Sequence, residues 1–139
     1  MNNYKNIPIQ LEQPPAPDES VIIQSVLHEI CALLERFLHT GEAGAIDLRS
    51  LPRMGSVTYV QLREWLSVGE VSATITGLRK SEFQETAFPG VWWVTHRNEK
   101  EEIVTELIEV TEIPVLLKSQ REDILAGLRK MTGGLLLTE

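Results

Sequence analysis

The segment ETAFPGVWWV, residues 85–94, decides the fold because it joins a tight turn to an aromatic strand. Pro89 and Gly90 together are a turn signal. In the strand that follows, adjacent side chains point to opposite sheet faces, so Trp92 and Trp93 cannot share a face. We expect one indole in the core beneath the helices and the other on the opposite face, covered by the protein or by a partner. The alternative, in which both rings pack inside and one lies under the N-terminal tail, stays open.

Strand patterns surround this segment on both sides. In residues 71–76 apolar and polar side chains alternate, which is typical of a strand with one apolar face. Similar patterns cover residues 83–87, 91–96 and 101–110. The connections between these runs are short, and short connections join antiparallel neighbours. The sequence therefore predicts a four-stranded antiparallel meander.

Helical spacing of apolar residues predicts three helices outside the meander. The first covers residues 19–39. The second starts near Thr58 and is closed by Gly69 in a left-handed conformation. The third follows Ser119 and stops at Gly133 and Gly134, and a short strand over residues 45–48 separates the first two helices. Because strands are grouped and helices are segregated, we expect an α+β fold with the four-stranded sheet packed against about three helices.

The length of the chain, 139 residues, suits one domain with one core. We expect a proline-rich extended or disordered tail over residues 1–19, with a strap lying on the domain as the alternative. The α+β domain then covers residues 20–132. Residues 133–139 form a short apolar tail that either docks on the body or contacts a partner.

The charge balance excludes several classes of partner. The net charge is -7, from 13 basic and 20 acidic residues, and the basic residues are scattered. Proteins that bind nucleic acid concentrate lysine and arginine on one face, so neither nucleic acid nor an anionic membrane is an expected partner. No run approaches the ~20 apolar residues of a membrane span. The absence of a secretion signal in residues 1–10 and the single cysteine favour the cytoplasm.

Residues that could carry chemistry are few. His28, His39 and His96 have no second ligand at a metal-binding spacing, so we expect no metal and no cofactor. Cys31 lies beside Ile30 and is interpreted as a buried small apolar residue. An enzyme would require folding to gather Asp47, Glu70 and Glu85 in one pocket, and we do not expect catalytic activity.

Four stretches in order give the chain a family resemblance. They are IDLRSLP at residues 46–52, GEVSA at 69–73, ETAFPGVWWV at 85–94 and ELIEV at 106–110. Together they resemble the C-terminal conserved domain of the HupH/HyaF family of hydrogenase expression proteins. The resemblance spans roughly residues 21–131. Longer family members have an additional N-terminal region, whereas here a proline-rich tail precedes the domain.

The resemblance implies an accessory role in the maturation of [NiFe]-hydrogenase. Family members are thought to be chaperones for the small subunit that carries the iron–sulfur clusters, and they are not enzymes. The implied partners are that subunit and other maturation proteins. The resemblance assigns eight residues as partner-contacting or motif-supporting, namely Glu70, Glu85, Thr86, Phe88, Pro89, Gly90, Trp92 and Trp93. It leads us to expect that one Trp and part of residues 85–90 are exposed, or covered only by another chain.

A second hypothesis from a different class is a structural one. An open sheet face or an edge strand can pair with a second copy of the chain. The protein would then be a self-associating scaffold, and a homodimer would be its functional form.

Overall fold

The computed structural model of the protein describes residues 17–51 and 54–138, with side chains for residues 20–51 and 54–135. The described chain contains three α-helices and five strands, and short 3-10 turns at Leu48–Ser50 and Val115–Leu117. In chain order the elements are α1 (Pro17–Thr40), β1 (Gly44–Asp47), α2 (Ser56–Leu66), β2 (Ser72–Ile75), β3 (Lys80–Glu85), β4 (Val91–Arg97), β5 (Ile103–Val110) and α3 (Arg121–Thr138). The predicted α+β class is confirmed.

The five strands form one antiparallel sheet in the order β1-β5-β4-β3-β2. The predicted meander is present as β2 to β5, but the predicted count of four strands is wrong. The short strand after α1 returns to the sheet and pairs with β5, where Ile46 lies opposite Ile108. Both side chains are buried. Burial of this apolar pair explains why β1 joins the sheet instead of standing apart.

Two helices, α1 and α2, cover one face of the sheet. Val26 and Ile30, one turn apart on α1, point into the main core together with Leu62 and Leu66 of α2. The sheet contributes Trp93 from β4. Cys31 is exposed rather than buried as predicted, because it follows Ile30 by one position and is rotated about 100° away from the buried stripe.

The opposite face carries a second, smaller core. Phe83, Trp92 and Val94 are its buried members, and Leu117 packs against them. Residues 111–120 cross this face after β5, and the indole Nε1 of Trp92 donates a hydrogen bond to the Thr111 carbonyl at 3.2 Å. Each Trp of the motif therefore has a core of its own.

The third helix does not pack on the sheet as predicted, because residues 121–132 are all exposed. It also runs through Gly133 and Gly134 to Thr138, so the predicted stop is wrong and the residues predicted as a short apolar tail are helical as far as Thr138. One helical glycine costs only about 1 kcal/mol, and the leucines that follow favour a helix.

At the N-terminal end of the described chain, α1 already begins at Pro17, a residue that suits a first helical position. The rest of the predicted tail, residues 1–16, lies outside the described residues.

Gly69 has a different role from the predicted one. Helix α2 begins at Ser56, two residues before the predicted start, and the residue with positive φ at its end is Ser67, with φ 58°. The amide of Gly69 instead donates to the Glu85 carbonyl at 2.7 Å. A Cβ atom at this position would lie 2.4 Å from the Thr86 carbonyl oxygen. Glycine is required here because two backbone segments approach each other closely.

We therefore expect Gly69→Ala to lower the free energy of unfolding by about 1–3 kcal/mol, the usual effect of forced overpacking. Urea denaturation measures this change. Gly127→Ala is the matched control, because a Cβ there would have no neighbour within 4 Å and alanine favours the helix. A Gly69→Ala protein as stable as the parent chain would contradict the close approach.

Candidate functional site

Residues 85–90 form a turn that is fixed by the Thr86 hydroxyl group together with backbone hydrogen bonds between Thr86, Phe88 and Val91. Thr86 is buried, and its Oγ1 donates to the Val91 carbonyl at 2.9 Å. The same oxygen accepts a hydrogen bond from the Phe88 amide at 3.1 Å. Gly90 has φ +87°, a left-handed conformation that glycine adopts without strain. These bonds hold Phe88 and Pro89 on the outside of the turn.

The turn presents one half of an exposed aromatic pair. The Phe88 ring stacks on the Trp65 ring from the last turn of α2, with centroids 5.3 Å apart and planes 14° apart. Trp65 is 54% exposed and Phe88 39% exposed. A hydrogen bond from the Ala87 amide to the Leu66 carbonyl, 2.9 Å long, ties the turn to the helix end. We call Trp65 and Phe88 the aromatic patch.

Most residues assigned by the resemblance meet at this end of the sheet. Glu70 and Pro89 are exposed and Glu85 is half-buried. The Gly69–Glu85 hydrogen bond brings the segment before β2 against the turn. The sequence analysis did not single out Trp65, because nothing in the local sequence of α2 distinguishes a ring that is exposed at the end of the helix from one that packs on the sheet.

Trp92 and Trp93 are not part of this surface. They lie on opposite sheet faces, as the alternation predicts, but they are only 3% and 2% exposed. The expected exposed Trp is therefore absent, because both rings pack inside, Trp93 beneath the helices and Trp92 on the opposite face. The predicted cover by the N-terminal tail lies outside the described residues. Residues 111–120 provide the cover on the second face.

A buried carboxylate beneath α2 also escaped the sequence prediction. Glu106 is 5% exposed. Its Oε2 accepts hydrogen bonds from the Tyr59 hydroxyl at 2.7 Å, the Trp93 Nε1 at 3.0 Å and the Thr95 hydroxyl at 3.3 Å. The burial of Glu106 could have been predicted from the sequence, because strand alternation places it on the same face as two apolar residues of β5, Ile108 and Val110.

Arg63 completes the surroundings of Glu106. Its Nη1 lies 3.8 Å from the Glu106 Oε2, and its guanidinium carbon lies 4.3 Å from the centre of the Trp93 ring. Burial raises the pKa of the Tyr59 phenol, and the hydrogen bond to the Glu106 carboxylate raises it further. A buried charge is tolerated when it is paired and hydrogen-bonded, so this cluster fastens α2 to the sheet.

The acids that an enzyme would need do not gather. Asp47 lies on β1 and Glu70 precedes β2, and these strands are at opposite edges of the sheet. The Asp47 Oδ1 accepts a hydrogen bond from the Arg49 amide at 3.0 Å and so caps the 3-10 turn that follows β1.

Within residues 17–51 and 54–138, no group of three or more His, Cys, Asp and Glu side chains could hold a metal ion. None of the helices described there is long and apolar enough to cross a membrane.

Comparison with known proteins places this geometry in one family. Residues 22–135 match the family described as HupH hydrogenase expression protein, C-terminal conserved region. The chain is 32% identical over 114 residues to the hydrogenase expression/formation protein HoxQ of Azotobacter vinelandii, covering 78% of this chain and 39% of HoxQ. It is 34% identical over 112 residues to HupQ of Azotobacter chroococcum mcd 1, covering 77% and 38% of the two chains. It therefore spans about two fifths of the length of these curated relatives.

A solved structure resembles the whole domain. It is the hydrogenase expression protein HupH from Thiobacillus denitrificans ATCC 25259, which is 40% identical with a TM-score of 0.78. The match covers 82% of this chain and 94% of that chain. The domain described above is therefore nearly the full extent of that solved chain.

Glu109 provides a test of the second core. It lies opposite Trp92 on the neighbouring strand, and burial raises the pKa of its carboxyl group. The ionised carboxylate is therefore disfavoured in the folded state. The stabilising contribution of protonated Glu109 is lost as the pH rises from the pKa of this group in the unfolded chain through its higher pKa in the folded protein. We expect Glu109→Gln to unfold at higher urea concentration than the parent chain at pH 7. The advantage should vanish below about pH 4, where both states are protonated.

Glu112→Gln is the control for that comparison, because Glu112 is exposed and its replacement removes the same charge from an acidic chain. An equal gain in both variants would mean that net charge, and not burial of Glu109, determines the effect.

Proposed function

This chain belongs to the HupH hydrogenase expression protein family, and we propose that it is an accessory protein of hydrogenase maturation that binds the precursor of the iron–sulfur small subunit. In this proposal the protein binds its client and catalyses no reaction. The names of the curated relatives, hydrogenase expression/formation proteins, support the pathway.

The aromatic patch is the observation that carries the proposal. Interface hot spots are enriched in tryptophan and other large side chains that become fully desolvated in the complex. Trp65 and Phe88 expose their rings side by side, although both lie next to a well-formed core. Full burial of an aromatic side chain contributes about 2–3 kcal/mol by area, and covering the part of each ring that is still exposed would contribute roughly half of that. Two rings together therefore provide an anchor of the size that a specific protein contact uses.

The patch is also rigid before any client arrives. Thr86 fixes the turn through two hydrogen bonds of its hydroxyl group, and the Ala87–Leu66 bond fixes the turn to α2. Binding pays an entropy penalty for every side chain or loop that it must order. A preformed patch avoids most of that penalty, which favours docking over a purely structural role for the turn.

The surroundings of the patch indicate the chemistry of the client surface. Val68 and Val71, which follow Trp65 along the chain, are exposed apolar side chains. Glu64 and Glu70 are exposed acids in the same stretch, and Glu85 is half-buried. Complementary charge at an interface rim promotes association and selects the partner. The client is therefore expected to offer an apolar centre with basic residues around it.

Loss of the patch should abolish client binding without unfolding the domain. We expect Trp65→Ala and Phe88→Ala each to weaken binding of the hydrogenase small-subunit precursor at least tenfold, about 1.4 kcal/mol. The affinity is measured by titration with the purified precursor. Leu78→Ala is the matched control, because Leu78 is 77% exposed and lies in the loop between β2 and β3.

Thermal unfolding of each variant checks that the fold persists. If the Trp65→Ala, Phe88→Ala double variant is folded and binds the precursor as tightly as the Leu78→Ala protein, the patch is not the docking site. If the parent chain itself does not bind the precursor, the choice of client is wrong.

Self-association is a second candidate function, and the β2 edge favours it. Within the described sheet β2 pairs only with β3, and residues 72–75 include neither a charge nor a proline to protect the edge. A twofold axis through Ala73 would place Val71 opposite Ile75 of the second copy, and both side chains are exposed. The apolar side chains would then align on one face of a continuous sheet.

For this candidate we expect the parent chain to dimerise with increasing concentration in sedimentation velocity experiments. Thr74→Lys should abolish the dimer, because a charge on an edge strand prevents pairing. Thr76→Lys, just beyond the strand, is the matched control. A parent chain that stays monomeric at all concentrations would exclude this function.

A further inference from the structure

A pocket of about 460 Å³ lies at the end of the sheet where β3 begins and β4 ends. No acidic residue lines it, although the chain has 20 acids and only 13 bases. Its lining residues are Arg79, Ser81, His96, Arg97, Asn98, Val104 and Thr105. An acid-free lining with two arginines makes this pocket a local exception in a chain of net charge -7.

Three of the lining residues form a row across neighbouring strands. Ser81 on β3 lies directly opposite His96 on β4, which lies opposite Thr105 on β5. Residues in direct register share a sheet face, and neighbouring strands are about 4.8 Å apart. A hydroxyl, an imidazole and a second hydroxyl therefore stand side by side over about 10 Å.

The imidazole in the middle of the row is held in place. The Nδ1 atom of His96 lies 2.8 Å from the Ser81 hydroxyl oxygen. The ring meets the Phe83 ring nearly at a right angle, with centroids 6.3 Å apart. When Ser81 donates to Nδ1, the neutral ring carries its hydrogen on Nε2. Nε2 is the nitrogen left for a ligand, and in that tautomer it is a donor.

Arg79 supplies a guanidinium without a partner among the described residues. The other arginine of the pocket, Arg97, is engaged through its Nε by the Glu82 carboxylate at 2.9 Å. Arg79 is exposed, and within the part of the chain that the structure describes it makes no hydrogen bond and no ion pair. A guanidinium offers paired N–H donors that match the geometry of carboxylate and phosphate groups.

We propose that this pocket binds the oxyanion of a small ligand, a phosphate or a carboxylate group, through Arg79, His96 and Thr105. Arg79 provides the charge, and the His96 Nε2 and the Thr105 hydroxyl provide further donors. Ser81 orients the imidazole. The aromatic patch lies at the other end of β3 and β4, so this site does not depend on the proposed client-binding function.

The three histidines of the chain allow a direct test by NMR. Inorganic phosphate and, in a separate titration, succinate are added at constant ionic strength, and the imidazole resonances are followed. We expect the His96 signals to shift and saturate. His28 and His39 lie on α1 and should stay unchanged as internal controls. Saturation by phosphate but not succinate identifies a phosphate ligand, and the reverse result identifies a carboxylate.

Arg79→Gln should weaken the binding of the saturating anion at least tenfold. Arg129→Gln, which removes the same charge from the exposed α3, should leave the affinity unchanged. Thr105→Val provides a second variant with an expected smaller loss, and unaltered His28 and His39 signals show that each variant is folded. Equal, non-saturating shifts of all three histidines would mean an adventitious ion only. Unchanged binding in Arg79→Gln would equally overturn the proposal.

Discussion

The structure depends on burying β4 on both of its faces. Residues 91–95 are all buried, although neighbouring side chains point in opposite directions. A strand of this kind needs a cover on each side. Helices α1 and α2 provide one cover and residues 111–120 provide the other. The two-layer arrangement, with a second small core beneath an irregular segment, follows from this requirement.

The core on the helix side contains the carboxylate of Glu106. This group constrains the position of α2 more narrowly than apolar packing alone would. Glu106 is buried together with three hydrogen-bond donors from α2 and β4. Removing one partner from such a cluster leaves polar groups unsatisfied, at about 1–3 kcal/mol each. Any other position of α2 on the sheet would lose the Tyr59 hydrogen bond and the Arg63 ion pair, which join the helix to Glu106. The cluster therefore specifies where α2 sits, and with it the position of Trp65 at the end of the helix.

Sequence patterns predicted the elements better than their contacts. The alternation along residues 91–96 placed the two Trp residues on opposite faces, because that depends only on local strand geometry. The fifth strand, the exposed α3 and the cover over Trp92 depend on contacts between distant parts of the chain. The same distinction applies to the site. The motif pointed to residues 85–90, but its stacking partner Trp65 is twenty-three residues away from Phe88 in the chain and carries no matching local signal.

The buried Trp residues are therefore better understood as supports than as contacts for a partner. Trp92 and Trp93 anchor β4, and β4 begins directly after the turn that carries Phe88. The Thr86 hydroxyl donates to the carbonyl of Val91, the first residue of that strand, so the turn takes its position from β4. The two buried Trp residues thus support the aromatic patch without being part of it. The rings inside the protein fix the strand, the strand fixes the turn, and the turn holds Phe88 against Trp65.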